Sequence, residues 1–262
     1  MTAEVVYSEQ IGAVCTITLN RPHVLNAIDD ALLEGLADEL SKAAREPDCR
    51  VVILRGAGRV FCAGGDVADM PLLRTESEYR SRRLVAEQAV ARAVRELDRP
   101  LVAQIHGAAI GGGCVLAALC DLRVAASGTR FSLPETAFGT TASLGGIFML
   151  TRIVGLGRAF ELLYLGERFT AERAREIGLV NWVVSATDLE AEVGRLAIRL
   201  ADQFPHEMML TRRAVLDGLD LEFKLAARRE TEAAMAAHLG GDVVEGFKRA
   251  RDRMQASKGG DS

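Results

Sequence analysis

Two glycine-rich segments contain the residues of this chain that are best suited to bind an anion. Residues 107–114 read Gly-Ala-Ala-Ile-Gly-Gly-Gly-Cys, between an apolar predicted strand and an apolar predicted helix, and residues 61–66 read Phe-Cys-Ala-Gly-Gly-Asp. Glycine lets a ligand lie directly against the main chain. The first N–H groups of a helix lack an intrahelical partner and can donate to a negatively charged oxygen. Together the two loops predict an oxyanion hole made of backbone amides.

The composition predicts an ordinary globular protein. Of its 262 residues, 49% are hydrophobic, which is enough for a packed core. The formal charge of −4 disfavours an extended nucleic-acid surface, although it is compatible with a local basic pocket for phosphates. There is no secretion signal and no apolar run long enough to cross a bilayer. We therefore expect a cytoplasmic protein with no nucleic-acid or membrane partner.

The cysteines and histidines do not form the pattern of a metal or redox site. The five cysteines are odd in number and include no C-x-x-C pair, which is typical of buried, reduced thiols. Cys114 lies beside the glycines but has no base near it in sequence, so we interpret it as a small core residue rather than a nucleophile. The four histidines lack the spacing of metal ligands, and we expect no metal.

Hydrophobic periodicity predicts an α/β fold followed by a purely helical region. Up to about residue 184, short apolar strands alternate with helices, a pattern typical of parallel sheets. One predicted helix begins at the N-cap Asp29. Another, within residues 69–99, carries many arginines and glutamates, which we interpret as a solvated face. Every later segment has helical period, so we predict two domains, residues 1–204 and 205–262.

Six segments, in the family's order, resemble the crotonase or enoyl-CoA hydratase/isomerase superfamily over nearly the whole chain. They are residues 19–22, 61–66, 107–114, 120–121, 134–135 with 144–146, and 172–174 with 178–181. The resemblance implies a spiral core of repeated ββα units and a C-terminal helical region that forms homotrimers or dimers of trimers. It also implies an acyl-CoA substrate, in which coenzyme A is part of the thioester and no separate cofactor is needed.

The resemblance assigns an oxyanion hole and one catalytic carboxylate. The N–H groups of Gly65 and Gly112 correspond to the family's two oxyanion donors, and the helix that follows adds its positive end. Hydratases of the family carry two glutamates that hold and activate a water molecule. The second corresponds to Glu135, but the first falls on Val115, which can neither accept a proton nor orient a water.

A single glutamate makes double-bond isomerisation the leading functional prediction, because Glu135 alone can remove a proton beside an enolate and return it elsewhere. Val115 should also raise the pKa of Glu135 by desolvation. The first alternative is hydration or dehydration with a modified acid/base set. Residues 61–66 and 133–139 also resemble acyl-CoA hydrolases of the family, but thioester hydrolysis ranks lower, because residues 140–144 lack the aspartate that those enzymes carry there. A degenerate paralogue that binds coenzyme A or RNA is the non-enzymatic alternative, which Glu135 and the negative net charge disfavour.

The resemblance also assigns contacts with coenzyme A. The backbone of Ala63, Gly64 and Asp66 would surround the adenine. The basic side chains that correspond to those near the phosphates are Arg21, His23 and Arg253, although the family more often has lysine at the latter two positions.

Two parts of the predicted site remain open. Ser143, in the loop after Glu135, is a candidate to orient a water or a substrate hydroxyl, but a helix N-cap is the simpler interpretation. The acyl group would contact residues 70–84 and the helical tail, whose positions depend on the fold. The sequence therefore predicts no acyl specificity.

Overall fold

The computed structural model describes residues 4–69 and 75–259, with the backbone alone for residues 253–259. The strands are β1 (Val6–Ile11), β2 (Val14–Leu19), β3 (Val51–Gly56), β4 (Leu101–Ile105), β5 (Ala108–Ile110), β6 (Leu122–Ala126), β7 (Arg130–Ser132), β8 (Phe169–Thr170) and β9 (Trp182–Val184). The helices are α1 (Asp30–Arg45), α2 (Ser77–Glu96), α3 (Gly112–Leu119), α4 (Gly146–Val154), α5 (Leu156–Leu165), α6 (Ala171–Glu176), α7 (Leu189–Ala201), α8 (Pro205–Gly218), α9 (Phe223–Leu239) and α10 (Asp242–Gly259).

Most of the strands form one sheet in the order β1-β2-β3-β4-β6-β9. β1 and β2 are an antiparallel hairpin, and every other neighbouring pair in this sheet is parallel. β5, β7 and β8 form a second, smaller sheet. The largely apolar strands β3 and β4 are almost entirely buried, as expected for parallel strands covered on both faces. The predicted α/β architecture is confirmed.

Helix α1 begins where the sequence predicts. The Asp29 side chain accepts a hydrogen bond from the Leu32 N–H at 2.8 Å, which satisfies one of the free donors of the first turn. The helix also buries its leucines at positions 32, 33, 36 and 40 in the main core. Burial of each such side chain stabilises the fold by about 1.5–3 kcal/mol. The cap and this packing fix the chain at Ile28, which forms a β-bridge with Gly65.

Helix α2 departs from the predicted solvated charged face at Arg83, which is only 7% exposed, while Arg80, Arg82 and Arg92 are exposed as predicted. Its guanidinium forms ion pairs with Asp30 at 2.7 Å and with Asp69 at 3.1 Å. It also donates to the Tyr79 hydroxyl at 2.9 Å and to the Ile28 carbonyl at 3.2 Å. A buried charge persists only where such partners compensate its desolvation. This cluster therefore fixes α2 against the start of α1.

The chain divides into two compact units, Met1–Ala201 and Asp202–Ser262. The second unit contains helices α8, α9 and α10. The sequence places its own boundary between residues 204 and 205, and the predicted role of this region in trimerisation stays a prediction. Among the described residues, no helix combines the length and the apolar character needed to cross a membrane.

Gly113 marks a point where the fold leaves no room for a side chain. A β-carbon there would lie 2.3 Å from the carbonyl oxygen of Cys62 and 2.8 Å from the Cys62 β-carbon. Gly113 belongs to the first turn of α3, and Cys62 belongs to the other glycine-rich segment. The missing side chain therefore lets the two segments touch through their backbones.

We expect Gly113→Ala to lower the free energy of unfolding by about 1–3 kcal/mol, the usual cost of overpacking, because the added carbon meets backbone atoms. Gly194→Ala in α7 is the matched control: nothing outside its own helix lies within 4 Å of the added carbon. Alanine should stabilise that helix by roughly 0.5–1 kcal/mol. Urea unfolding measures both changes, and equal stability of the two variants would contradict the close contact.

Candidate active site

A parallel β-bridge joins the two glycine-rich loops. The Cys62 N–H donates to the Ala108 carbonyl at 3.1 Å, and the Ile110 N–H donates to the Cys62 carbonyl at 3.0 Å. Gly64 has a φ of +94°, and a β-carbon there would lie 2.7 Å from the Ile110 carbonyl oxygen. Both the left-handed backbone and this contact require glycine. The two loops therefore form a single backbone platform.

The amides of Gly65 and Gly112 lie on this platform. Ile28 pairs with the neighbours of Gly65: its N–H donates to the Gly64 carbonyl at 2.7 Å, and its carbonyl accepts from the Asp66 N–H at 3.0 Å. Within the described part of the chain, no protein acceptor takes the N–H of Gly65 or of Gly112. A β-carbon on Gly112 would lie 3.9 Å from the Gly65 nitrogen. The Gly112 backbone thus lies next to the Gly65 amide, as the predicted oxyanion hole requires.

Glu135 adjoins the platform. It is the first residue of the short 3₁₀ helix Glu135–Phe138. Its Oε1 atom lies 3.1 Å from the position that a β-carbon on Gly111 would occupy. The Gly111 N–H donates to the Ser132 carbonyl at 2.8 Å, which ties the end of β7 to the start of α3. The carboxylate is therefore held beside the residue that precedes the Gly112 donor.

Burial favours the protonated form of the Glu135 carboxyl group. It raises the pKa of the carboxyl group, and a hydrogen bond with the residue's own backbone only partly opposes this rise. The Oε2 atom is buried, and none of the described residues gives it a hydrogen bond. A carboxylate oxygen that lacks a partner in such surroundings is ready to take a proton or to accept a bond from a ligand.

Val115 forms an apolar contact where the family's hydratases carry a carboxylate. It is 3% exposed, one residue beyond Cys114 on α3. A β-carbon on Gly146 would lie 2.5 Å from its Cγ2 atom, so Val115 packs directly against the Gly146 backbone. The small cavity beside this contact is lined by apolar groups, including Ala142 and Leu150. At this point of α3, the described residues provide no acid or base.

The sequence analysis missed a carboxylate near the site. Glu87 on α2 is half-buried. Burial raises the pKa of Glu87, while the neighbouring polar groups of Ser143 and Leu144 and the charge of Arg83 oppose the rise. The available signal was the spacing, since Glu87 follows Arg83 by four residues and so shares its face of the helix. The many charges along α2 concealed it.

The interpretation of Ser143 as an N-cap is wrong. Helix α4 is preceded by Gly145, and no side chain caps it. Ser143 instead accepts a hydrogen bond from the Gly146 N–H with its backbone oxygen, at 2.8 Å. The Ser143 side chain is exposed. Leu144 has a φ of +56°, which is uncommon for a residue with a side chain and marks a sharp bend in this loop.

Arg21 and Asp66 are paired with each other. The Arg21 guanidinium forms ion pairs with Asp66 at 3.1 Å and with Asp29 at 3.0 Å, and it donates to the Ala27 carbonyl at 2.6 Å. These contacts tie the glycine-rich loop of residues 61–66 to the start of α1. We assign a structural role to Arg21, and its predicted contact with a coenzyme A phosphate stays a prediction.

The other predicted contacts with coenzyme A are only partly described. His23 is exposed in the 3₁₀ helix Pro22–Val24, while Ala63 is half-buried and Gly64 is buried. The side chain of Arg253, in α10, lies outside the described residues. The predicted residues that the structure brings together are Gly65, Gly112, Glu135 and Val115.

Cys114 is a core residue. It is 1% exposed, and burial raises the pKa of its thiol to about 12. A thiol with such a pKa is almost never a thiolate near neutral pH, so it is a poor nucleophile. This agrees with the sequence-based interpretation.

Comparison with known proteins shows that the similarity to enoyl-CoA hydratases extends over nearly the whole chain. The model of the family described as enoyl-CoA hydratase/isomerase matches residues 9–253. A short-chain-enoyl-CoA hydratase of Clostridium acetobutylicum is 33% identical over 253 residues, which cover 92% of this chain and 96% of that protein. A crotonyl-CoA hydratase of Syntrophomonas wolfei is 33% identical over 98% of both chains. The crystal structure of an enoyl-CoA hydratase from Bacillus anthracis is 32% identical, with a TM-score of 0.88 over 95% of this chain and 96% of that one.

Sequence and fold therefore agree over nearly the full length. The crotonase-type fold with C-terminal helices that the resemblance implies is confirmed. Both the match to the family and the identity to its members are extensive. This chain belongs to the enoyl-CoA hydratase/isomerase family.

Proposed function

We propose that this protein catalyses the reversible hydration of a 2-enoyl-CoA thioester, with Gly65 and Gly112 as oxyanion donors and Glu135 as the proton shuttle. The observation that carries the proposal is the half-buried Glu135 carboxyl group, with a buried and unpaired Oε2 atom, beside the platform that holds both amides. The two curated relatives compared above are named hydratases. Their names favour hydration over the isomerisation that the sequence predicts.

The reaction needs only one carboxylate for its proton balance. Glu135 takes a proton from water while the water oxygen bonds to C3 of the enoyl group. The π electrons of the C2–C3 double bond move toward the thioester, whose oxygen becomes negative and is stabilised by the two N–H groups. Glu135 then returns the proton to C2, so one water is added and the carboxylate is restored. A raised pKa suits both halves of this transfer.

Double-bond isomerisation is the second candidate, and Val115 is the observation that favours it. In a 3-enoyl thioester, Glu135 would remove a proton from C2 and return it to C4, while the same two amides stabilise the enolate. This reaction needs no bound water. An apolar contact at Val115, where hydratases of the family hold water with a glutamate, is compatible with it.

The remaining alternatives have less support. Residues 140–144 carry no acid of their own, which disfavours thioester hydrolysis. A protein that only binds coenzyme A or RNA would have no use for a buried carboxyl group beside two oxyanion donors. The homotrimer or dimer of trimers that the family resemblance implies stays a prediction.

We expect Glu135→Gln to lower kcat for hydration of 2-butenoyl-CoA by roughly 10²–10⁴-fold, because an amide cannot accept the proton. Steady-state assays with 2-enoyl-, 3-enoyl- and 3-hydroxyacyl-CoA esters measure the loss for each reaction. Glu167→Gln is the matched control, since Glu167 is exposed and the chemical change is the same. The control should keep the wild-type rate.

The same assays separate the candidate reactions. Full turnover by Glu135→Gln would refute the proton shuttle. Conversion of 3-enoyl esters without hydration of 2-enoyl esters would replace the hydratase by an isomerase. Release of the free coenzyme A thiol would instead identify a hydrolase.

The raised pKa of Glu135 predicts a pH-dependent difference in stability between the wild type and Glu135→Gln. A carboxyl group whose pKa is raised on folding stabilises the fold while it is protonated, and this contribution is lost as pH rises through the raised pKa. The neutral amide does not titrate. We therefore expect the variant to gain stability relative to the wild type as pH rises from below the ordinary glutamate pKa. Urea midpoints across this range measure it, and a constant difference would contradict the raised pKa.

A further inference from the structure

Ile28 contacts both of the peptide groups that are assigned to the oxyanion hole. It is 3% exposed and directly precedes Asp29, the N-cap of α1. Its backbone forms the β-bridge with Gly65, and the tip of its side chain lies against Gly112. An apolar side chain can neither take a proton nor stabilise a charge, so these contacts bear on the geometry of the two donors.

The backbone N–H of Ile28 orients the Gly65 donor. It donates to the Gly64 carbonyl at 2.7 Å. The peptide bond between Gly64 and Gly65 is trans, so this carbonyl and the Gly65 N–H point in opposite directions. A carbonyl that accepts a hydrogen bond also polarises its own peptide group and makes the N–H a better donor. The bond from Ile28 therefore directs the Gly65 N–H away from Ile28 and strengthens it.

The Gly112 donor is oriented in the same way by its own helix. The Gly111 carbonyl accepts a hydrogen bond from the Val115 N–H at 3.0 Å, and the Gly112 N–H belongs to the same peptide group as that carbonyl. This N–H therefore points out of α3 at its N-terminal end. The two hydrogen bonds fix the direction of each donor, but they do not fix the separation between the donors.

The side chain of Ile28 lies where it can fix that separation. Its Cδ1 atom is 2.8 Å from the position that a β-carbon on Gly112 would occupy. The next nearest atoms to that position are the Gly65 nitrogen at 3.9 Å and the Gly64 α-carbon at 4.0 Å. Ile28 and the backbone of residues 64–65 thus lie on the same side of Gly112. Since Ile28 is also bonded to Gly64, it holds the Gly112 backbone at a set distance from the Gly65 amide.

The main chain of Ile28 is itself firmly held. Its carbonyl accepts hydrogen bonds from the Asp66 N–H at 3.0 Å and from the Arg83 guanidinium at 3.2 Å. These two bonds use both lone pairs of the oxygen. Arg83 is fixed in turn by its ion pairs with Asp30 and Asp69. Ile28 is therefore joined to the glycine-rich loop on one side and to α2 on the other.

We propose that Ile28 is a positioning residue of the oxyanion hole: its N–H orients the Gly65 donor, and its side chain sets the distance from that donor to the Gly112 backbone. Ile28 touches no reacting atom and acts through the two amides. This inference rests on the proposed function, which takes Gly65 and Gly112 as the donors to the thioester oxygen. Changes at Ile28 should lower kcat more than they raise KM, because the oxygen becomes fully negative only during the reaction.

Shortening the side chain tests the separation of the donors. Ile28→Val removes Cδ1 alone, and Ile28→Ala removes the whole side chain beyond Cβ. We expect kcat for hydration of 2-butenoyl-CoA to fall by about threefold and about tenfold respectively, with KM within about twofold of wild type. The matched controls are Ile17→Val and Ile17→Ala, because Ile17 is fully buried in β2. The controls should lose stability but keep the wild-type kcat.

Infrared spectroscopy of a bound thioester measures the donors without the reaction. Butyryl-CoA has no double bond to hydrate. The two N–H groups should polarise its carbonyl and lower the stretching frequency, which a ¹³C label at that carbon separates from the protein bands. We expect this lowering to shrink in Ile28→Val and to shrink further in Ile28→Ala. Both Ile17 variants should keep the full wild-type shift.

An amide-to-ester change tests the orienting hydrogen bond separately from the side chain. Replacing Ile28 by its α-hydroxy analogue removes the N–H that donates to Gly64 and keeps every side-chain atom. We expect kcat to fall by about tenfold, with a smaller lowering of the carbonyl frequency. The same replacement of Leu33 by its α-hydroxy analogue is the matched control, since the Leu33 N–H donates to the Asp29 carbonyl within α1. The control should keep the wild-type kcat and carbonyl shift.

Each outcome decides the question. Wild-type kcat and carbonyl shift in the Ile28 variants would overturn the inference and leave the proposed hydration intact. Equal losses of kcat in the Ile28 and Ile17 variants would also overturn it, since they would reveal a general effect of core packing. An unshifted carbonyl in the wild type would refute the oxyanion hole, and this inference with it. A shifted carbonyl without hydration by the wild type would refute the hydratase alone, and the infrared series would still decide the role of Ile28.

Discussion

The contact between the two glycine-rich loops is the constraint on which the rest of the site depends. Cys62 makes it in two ways, since its N–H and carbonyl form the bridge to β5 and its carbonyl oxygen fills the space beside Gly113. The two oxyanion donors lie far apart in sequence and come together only through this contact. Because backbone groups provide both the joint and the donors, the platform is set by main-chain geometry rather than by side-chain rotamers.

Helix α2 shows how an element with an exposed charged surface also supports the fold. Arg83 is buried at a cost in desolvation, which its carboxylate and carbonyl partners offset. One turn further on, Glu87 is half-buried. Burial raises the pKa of Glu87, and the charge of Arg83 opposes this rise. The buried cluster around Arg83 thus makes the helix more than a solvated surface.

Local signals in the sequence predicted much of the fold and the centre of the site. The cap at Asp29 and the glycine-rich turns were identifiable from residue type and spacing, whereas Glu135 was assigned through the family resemblance. Ser143 was misassigned because a serine shortly before a helix is a general capping signal. Glu87 was missed because its burial depends on tertiary packing, which helical periodicity alone cannot reveal. Tertiary contacts thus decide which polar groups are buried around the centre that the sequence predicts.

The contact of Val115 with Gly146 also restricts how this site can evolve. A glutamate at position 115 would need more volume than valine. Residue 146 is already glycine, so no smaller residue at that position could make room for it. The apolar neighbours would also leave a new carboxylate without hydrogen bonds. Residues 115 and 146 are therefore coupled: placing a glutamate at position 115, where the resemblance puts the first of the hydratases' two glutamates, would take concerted changes in α3 and in the loop before α4.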